Sequence, residues 1–468
     1  MEKMTISFSG LASNLPVDQM INQLMAIEEQ PLNNLYSEKM QLQDAKGAWR
    51  DVNSRISTLD GVMGDLKEVE TFNSMKTSST DETIVSATTD TTASASTYDI
   101  TVNNLAEEER VASAQQSDST SDLGYSGDFD ITVNGSTATV SVVTTDSLTE
   151  IKDKINSKNI TATATIVDNH LLIEGDNTGA ANRIQFTDSD GLNNGTGILE
   201  GKLGFDLDTN GYATGTSLLQ QAQDANFDIN GLNITRSTNT IDDVITGVTF
   251  ELKAEKAATI TVEKDLQKTV DSVQKFVDQY NSVQSFINDK LSYNSDTKEA
   301  GILQGDTTLS RLQMNLRQAA TDSVNATSKY DQLATVGIEV DKDGKMSLDS
   351  SKLKGALQDK PQAVVDLFNA SKADGDSFDG VITKTDNYVN QLLEYGTGVI
   401  PDKLDYYDNQ IEYIEDEMTD MRADLEMQRQ RYQEQFTAME TAIQRMQNQS
   451  SWMSSQLSGM NTSLLSSM

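Results

Sequence analysis

The residues of this chain that could do chemistry are few, and a lone histidine stands out among them. His170 is the only histidine among 468 residues, and the chain contains no cysteine. A multi-histidine metal site, a thiolate zinc site, a disulfide and a cysteine nucleophile are therefore excluded. A Ser-His triad could use only His170, and no G-x-S-x-G segment is present. Because His170 stands beside a predicted hairpin turn at Asp168-Asn169, we expect it to lie on the solvated surface.

Two short acidic segments are the best candidates for cation ligands. Residues Asp206–Gly211 match the first half of a calcium loop, but Ser217 stands where such a loop places a bidentate glutamate. In Asp341–Gly344 the match is weaker, because Lys345 occupies the next ligand position. We interpret both segments as turns, in which Asp and Asn side chains accept hydrogen bonds from nearby backbone N–H groups. Since no P-loop or Rossmann fingerprint is present either, the sequence predicts no catalytic residue, no metal site and no cofactor.

The composition restricts the classes of partner. Lys and Arg number 36 against 72 Asp and Glu, which gives a net charge of -36. This excess of acid argues against nucleic acid and against anionic membrane surfaces as partners, and we interpret it as a source of solubility. The N-terminal residues contain no apolar stretch typical of a signal peptide, and no later run approaches the length of a membrane span. We therefore expect neither a Sec-type signal nor membrane insertion.

Two seams of apolar residues, spaced three and four apart, organise the ends of the chain. The C-terminal seam starts near Pro401, and with no Gly or Pro before Gly459 it predicts a helix of roughly 90 Å at about 1.5 Å per residue. The second seam runs from Leu42 to Leu66. Because a helix cannot bury its own seam, we predict that the two form an intramolecular coiled coil. The predicted seam residues are Trp49, Val52, Ile56, Leu59, Ile414, Met418, Met421 and Leu425.

The outer parts of these helical segments have no obvious partner within the chain. Beyond Phe436 and before Leu35, no apolar stretch of matching length is available to cover them. We interpret these ends as helices that fold when they bind other subunits. The alternative is a coiled coil that only stabilises the stalk, which we favour for residues 42–69 paired with about 404–440. The expected assembly residues are Leu11, Leu15, Leu24, Met25, Phe436, Met439, Ile443, Met446, Trp452 and Leu457.

The middle of the chain is β-rich and contains an internal echo. Phe129–Gly135 and Phe227–Gly231 both place an apolar strand before an Asn-Gly turn, which is a strong hairpin signal. This internal similarity predicts two related β-rich units, the second of which is interrupted in sequence by the first. The predicted fold class is therefore α+β multidomain, with a helical coiled-coil stalk formed by the N- and C-terminal segments and two inserted β-rich domains.

We predict five segments for this multidomain chain. The predicted stalk domain contains residues 42–71 and 266–440. The first β-rich domain contains residues 72–118 and 222–265, and the second, inserted in the first, contains residues 119–221. Residues 1–41 are predicted to be an N-terminal assembly segment that is flexible until assembled, and 441–468 a C-terminal assembly segment.

The order of motifs resembles that of the FliD, or flagellar hook-associated protein 2, family of bacterial flagellar filament-capping proteins. The chain departs from the family pattern at Asn14–Pro16, where Gly-Leu-Asp is more usual, and at Trp452, where an aromatic such as Tyr is usual. The unit at 129–175 is similar to the hook-IN motif of flagellar axial proteins. The segments that carry the resemblance are Gly10–Ser13, Met20–Met25, Glu28–Leu32, Tyr98–Ala106, Val336–Leu348, Gln435–Glu440 and Gln449–Trp452.

The resemblance implies a structural role and no enzymatic activity. It implies a ring-like homo-oligomer at the distal tip of the flagellum, outside the cell, that promotes folding and polymerisation of exported flagellin and prevents its loss. It also implies type III export without a cleaved signal peptide, and contacts with hook–filament junction proteins and an export chaperone. The alternatives are another flagellar axial protein and a secreted adhesin, and an adhesion role could accompany capping. Stabilisation by calcium would favour the adhesin.

Overall fold

The structure is a computed structural model that describes residues 15–188, 197–296, 298–324 and 329–465, with side chains up to residue 458. Within these ranges the helices are α1 (Val17–Glu28), α2 (Gln30–Lys67), α3 (Val69–Asn73), α4 (Leu148–Asn156), α5 (Leu266–Leu291), α6 (Thr307–Thr321), α7 (Ser350–Asp359), α8 (Pro361–Asn369), α9 (Val381–Leu393) and α10 (Val399–Leu465). The strands up to residue 188 are β1 (Met75–Ser79), β2 (Val85–Thr89), β3 (Ser96–Asn104), β4 (Arg110–Ala112), β5 (Gly127–Val133), β6 (Ser136–Val142), β7 (Ala162–Val167), β8 (His170–Gly175) and β9 (Ile184–Asp188). The later strands are β10 (Leu218–Gln220), β11 (Ala225–Ile229), β12 (Leu232–Arg236), β13 (Thr240–Ile245), β14 (Val248–Leu252), β15 (Ala257–Lys264), β16 (Tyr293–Asn294), β17 (Glu299–Ala300), β18 (Ile338–Val340) and β19 (Met346–Leu348).

The long helix α10 is the one that the C-terminal seam predicts, and the prediction is confirmed. Pro401 lies in its first turn, where a missing N–H and a fixed φ are tolerated. The helix continues through Gly459 to Leu465, since one glycine weakens a helix without ending it. Although α10 has 67 residues, no helix in the described ranges has an apolar stretch that could cross a membrane.

The chain divides into two compact units. Unit 1 contains the described residues of 1–67 and 270–468, and unit 2 contains those of 68–269. In unit 1, α2 packs against α9 and α10, and α6 packs against α9. Large side chains that are fully buried in this unit include Trp49, Met63, Phe276, Tyr280 and Phe368.

Unit 2 has two hydrophobic cores that antiparallel sheets enclose. One core lies against the sheet β1-β15-β3-β11-β12 and the sheet β13-β14-β2. The other lies against β10-β4-β8-β7, β6-β5-β9 and helix α4, and it draws its buried residues from 111–213. This second module stands between β3 and β11 in sequence, so it is inserted in the first. The predicted fold class is confirmed, whereas the residue limits of the five predicted segments stay a prediction.

Three tight turns fix the register of three hairpins in unit 2. They connect β5 to β6, β7 to β8 and β11 to β12, and their two central residues have positive φ in every case. Such turns match the twist of paired strands, and they require Gly, Asn or Asp at the central positions. The turns are Asn134-Gly135, Asp168-Asn169 and Asn230-Gly231. The hairpins predicted at 129–135, at Asp168-Asn169 and at 227–231 are thereby confirmed.

Candidate assembly surface

The stalk of unit 1 is an antiparallel pair of helices with a defined register. Polar pairs connect α1 and α2 to α10, and the residue numbers on α1 and α2 fall as those on α10 rise. Most of these side chains are exposed, and exposed ion pairs contribute only about 0–1 kcal/mol each, so the pairs fix register more than stability. The pairs are Lys46–Asp408, Lys39–Glu415, Tyr36–Arg422 and Glu28–Tyr432.

The predicted coiled-coil seam differs between its two helices. On α2, Trp49, Val52, Ile56 and Leu59 are all fully buried. On α10, burial falls along the helix from Ile414 and Met418, which are buried, to Met421 and Leu425, which are half-buried. Besides packing against α10, helix α2 packs against α1, α8 and α9, which helps to bury its side of the seam.

A small core between α1 and α10 corrects one expectation from the sequence. The α1 side chains of Val17, Ile21 and Met25 are buried, and Leu425, Tyr432 and Phe436 of α10 pack against them. The expectation that the chain offers no partner before Leu35 is therefore wrong for α1. Met25 and Phe436, expected to bind other subunits, contact each other's helix within one chain. Since only Glu29 separates α1 from α2, α1 continues the antiparallel packing along α10.

The end of α10 carries a group of exposed apolar side chains. Met446, Trp452 and Leu457 each expose more than 60% of their surface, and Met453 exposes 52%. Met439 and Ile443 are half-buried. On the N-terminal side, Leu15 is 41% exposed and Leu24 is 37% exposed, while Leu11 lies outside the described residues. The exposed members of the α10 group form a surface that could bind an amphipathic helix.

One carboxylate in unit 1 connects three helices, which the sequence did not indicate. The Asp306 Oδ2 atom accepts hydrogen bonds from Trp49 Nε1 and from Lys403 Nζ, each at 3.3 Å. Its Oδ1 atom caps α6 by accepting from the backbone N–H groups of Thr308 and Leu309. An Asp before a helix predicts only the cap, because the other two partners come from distant parts of the chain.

The candidate cation ligands are engaged in turns. Asp208 Oδ1 accepts from the backbone N–H groups of Asn210 and Tyr212, at 2.8 and 3.0 Å. Asp341 Oδ1 accepts from two backbone N–H groups of its own turn, each at 2.9 Å. Within the described ranges, no group of three or more His, Cys, Asp or Glu side chains could hold a metal ion. These segments act as Asx-type turns in the fold.

His170 has a structural contact that differs from the expected solvated position. It is half-buried beside an apolar cleft of unit 2, and its Nδ1 atom lies 2.7 Å from the carbonyl oxygen of Ser113. Because a carbonyl only accepts, Nδ1 carries a proton and donates. The ring thereby ties β8 to the segment that follows β4, a role that depends on long-range pairing.

Comparison with known proteins identifies the family. The model of the flagellar hook-associated protein 2 N-terminus matches residues 13–109, and that of the flagellar hook-associated protein 2 C-terminus matches residues 222–448. Together they account for well over half of the chain, in the expected order. The chain belongs to the flagellar hook-associated protein 2 family. The stretch between the two matches corresponds to the inserted β-rich module of unit 2.

Individual members of the flagellar hook-associated protein 2 family are similar over almost the whole chain. The A-type protein of Pseudomonas aeruginosa is 29% identical, over 97% of this chain and 98% of that protein. The protein of Salmonella typhimurium is 27% identical, over 98% of this chain and all of that protein. The crystal structure of the D1-D2-D3 domains of the flagellar cap protein FliD from Escherichia coli has a TM-score of 0.60 and 27% identity. It covers 77% of this chain and 99% of that one. The family assignment from motif order is confirmed, and the family is one of structural flagellar cap proteins.

Proposed function

We propose that this chain caps the distal tip of the bacterial flagellar filament as a ring-like homo-oligomer. In this role it promotes the folding and polymerisation of exported flagellin and prevents flagellin from being lost to the medium. The observation that carries the proposal is the family match along nearly the whole chain, at both ends and in the stalk. The protein acts by binding, and no reaction is assigned to it.

The exposed end of α10 supports a binding role at the filament. The helix continues past Phe436, the last residue of the α1–α10 core, for about 40 Å at 1.5 Å per residue. Met446, Trp452 and Leu457 are exposed along this part. Burying each such side chain contributes about 1.5–3 kcal/mol, so a partner helix that covers all of them gains several kcal/mol. The proposed partners are flagellin and the hook–filament junction proteins.

Export as an unfolded chain fits the covalent chemistry of the protein. With no cysteine in the sequence, no disulfide has to be reduced before the chain unfolds. The proposed route is flagellar type III export with the help of a chaperone, which leaves the protein outside the cell at the filament tip. An adhesion role of the β-rich modules stays a prediction.

The test is deletion of the gene in its own bacterium, followed by measurement of flagellin in the medium and of filaments on the cells. We expect monomeric flagellin in the medium and hooks without filaments, with both defects reversed by the wild-type gene. Normal filaments in the deletion strain would refute capping. Loss of surface attachment with normal filaments would favour the adhesin instead.

A further inference from the structure

A polar pocket of about 530 Å³ lies in unit 1 between α5, α6 and the turn that joins β18 to β19. Gly344 belongs to this turn and has a φ of +83°, a backbone conformation that residues with a side chain rarely adopt. Asp343 is the one acid among the described residues that line the pocket. The other lining residues are Gln284, Asn288, Ser310, Gln313, Met314, Arg317, Lys342 and Gly344.

One wall of the pocket has an unused hydrogen-bond donor. Gln284 is 1% exposed, and its Nε2 atom makes no hydrogen bond. The neighbouring amides of Gln313 and Asn288 are hydrogen-bonded to each other, since Gln313 Nε2 donates to Asn288 Oδ1 at 2.8 Å. Because buried side-chain amides in folded proteins nearly always have a partner, this donor is available either to the neighbouring Tyr280 hydroxyl or to an acceptor that enters the pocket.

Two cations at the pocket have no acidic partner within the described part of the chain. Arg317 donates through Nη2 to the carbonyl oxygen of Asp341 at 2.9 Å and through Nη1 to that of Lys342 at 3.4 Å. Neither Arg317 nor Lys342 forms an ion pair with any described residue. Acids outnumber bases two to one in this chain, so an acidic group of a second copy is an available partner for these cations. An amide N–H, a guanidinium and an ammonium group together suit a carboxylate.

A complementary surface lies on α10 of the same unit. Glu412, Asp416 and Asp420 follow one another at intervals of four, so they line one side of the helix. All three are exposed, and no Lys or Arg stands between Lys403 and Arg422. Like charges at this spacing repel and weaken the helix, and cations from another molecule would relieve that repulsion. We call these three residues the acidic stripe.

We propose that the pocket of one copy of this chain binds a carboxylate of the acidic stripe of a second copy. The pocket and the stripe are different surfaces, so the contact is heterologous and generates a ring when its rotation closes. This inference rests on the proposed function, because the ring of that proposal is where the contact would repeat. Charge selects the occupant, since the stripe is an acidic surface whose side chains form no ion pair with any residue that the structure describes.

The test is charge reversal measured by sedimentation of the purified full-length chain. Arg317→Glu with Lys342→Glu removes the cations, and Glu412→Lys with Asp416→Lys removes the acids. We expect each double variant to weaken self-association at least tenfold, and all four substitutions together to restore it. We also expect wild-type association to weaken as salt is raised, because salt screens such pairs.

The matched control carries the same charge change at other sites. Lys275→Glu with Lys360→Glu alters two exposed cations of unit 1 that do not line the pocket, and we expect it to associate like the wild type. Circular dichroism of every variant checks that unit 1 stays folded. Wild-type association by the pocket variant, or no recovery in the fourfold variant, would overturn the inference. A wild-type chain that stays monomeric at every accessible concentration would overturn it too.

Cross-linking gives a second measurement that tolerates weak association. Because the chain has no cysteine, Lys342→Cys and Glu412→Cys supply the only thiols in a double variant. A short bismaleimide should join copies into a ladder of species, which neither single variant can extend beyond a dimer. Absence of the ladder would count against the contact. Flagellin retention by the wild-type gene is independent of these results, so the inference can fail while capping stands.

Discussion

The indole nitrogen of Trp49 lies 3.3 Å from Oδ2 of Asp306, although 257 residues separate the two in sequence. Trp49 is fully buried on α2, and its N–H therefore needs an acceptor. The same oxygen accepts from Lys403 of α10, and the other carboxylate oxygen caps α6. One side chain thus stabilises the meeting point of three helices in unit 1.

Replacing Asp306 should therefore destabilise unit 1. Asp306→Ala removes the helix cap and the carboxylate acceptor of the buried indole N–H, which we expect to cost about 1–3 kcal/mol. Asp306→Asn should cost less, because the amide oxygen can still cap α6. Chemical denaturation measures both, with the exposed Asp374→Ala of unit 1 as the control. An unchanged midpoint for Asp306→Ala would contradict this role.

Glu109 of unit 2 should make stability fall as pH rises. Its side chain is fully buried, and burial raises its pKa, although the charge and hydrogen bond of Arg183 oppose the rise. The folded state then holds a proton at pH values where the unfolded state has lost it, so ionisation costs folding free energy. We expect Glu109→Gln to be more stable than wild type near neutral pH, with the difference shrinking in acid. Thermal unfolding from acid to neutral pH tests this expectation, with the exposed Glu82→Gln as control. If Glu109→Gln is less stable than wild type at every pH, the ion pair with Arg183 outweighs the cost of burial.

Asp146 of unit 2 should have the opposite effect, so that stability falls as pH is lowered. Burial alone would raise its pKa, but the Lys154 ammonium and the Val143 N–H together hold that pKa below its ordinary value. The contribution of Asp146 to stability is therefore present above the pKa that it has in the unfolded chain. This contribution is lost as pH falls through the pKa that it has in the folded chain. We expect Asp146→Asn to destabilise unit 2 by about 1–3 kcal/mol at neutral pH and to have no effect in strong acid. Urea unfolding at several pH values measures this against the exposed Asp128→Asn, and a loss that does not vary with pH would exclude the ionic explanation.

Substitutions at the end of α10 should separate assembly from stability. Trp452 and Leu457 are each 62% exposed, so Trp452→Ser with Leu457→Ser removes little buried surface from the isolated chain. We expect an unfolding temperature within about 1 °C of wild type, since exposed sites change stability by less than about 0.5 kcal/mol. Complementation of the deletion strain should nevertheless fail to retain flagellin. Gln456→Ser serves as the control on the same turn, and full retention by the double variant would remove these residues from the partner surface.

Local patterns predicted most of the architecture. Apolar spacing determines a helix locally, as in 42–66 and in α10, and turn residues such as Asn134-Gly135 determine a hairpin locally. The sequence alone therefore indicates these elements. The packing of α1 on α10 was missed because its three buried side chains, including Met25, form a stripe too short to suggest a partner. Asp306 and Gln284 were missed for another reason. Their roles depend on groups that only the folded chain brings together, and no spacing in the sequence records them.

The pairing of α2 with α10 has a consequence for the order in which the chain folds. Lys46 and Asp408 form an ion pair across 362 residues, so the stalk is a contact of very long sequence separation. Closing so large a loop is slow and entropically unfavourable until both helices exist. Because unit 2 contains no residue of α10, a chain truncated before α10 would contain folded β-rich modules and an open α2. Closure of the stalk therefore requires that both helices of the pair are present.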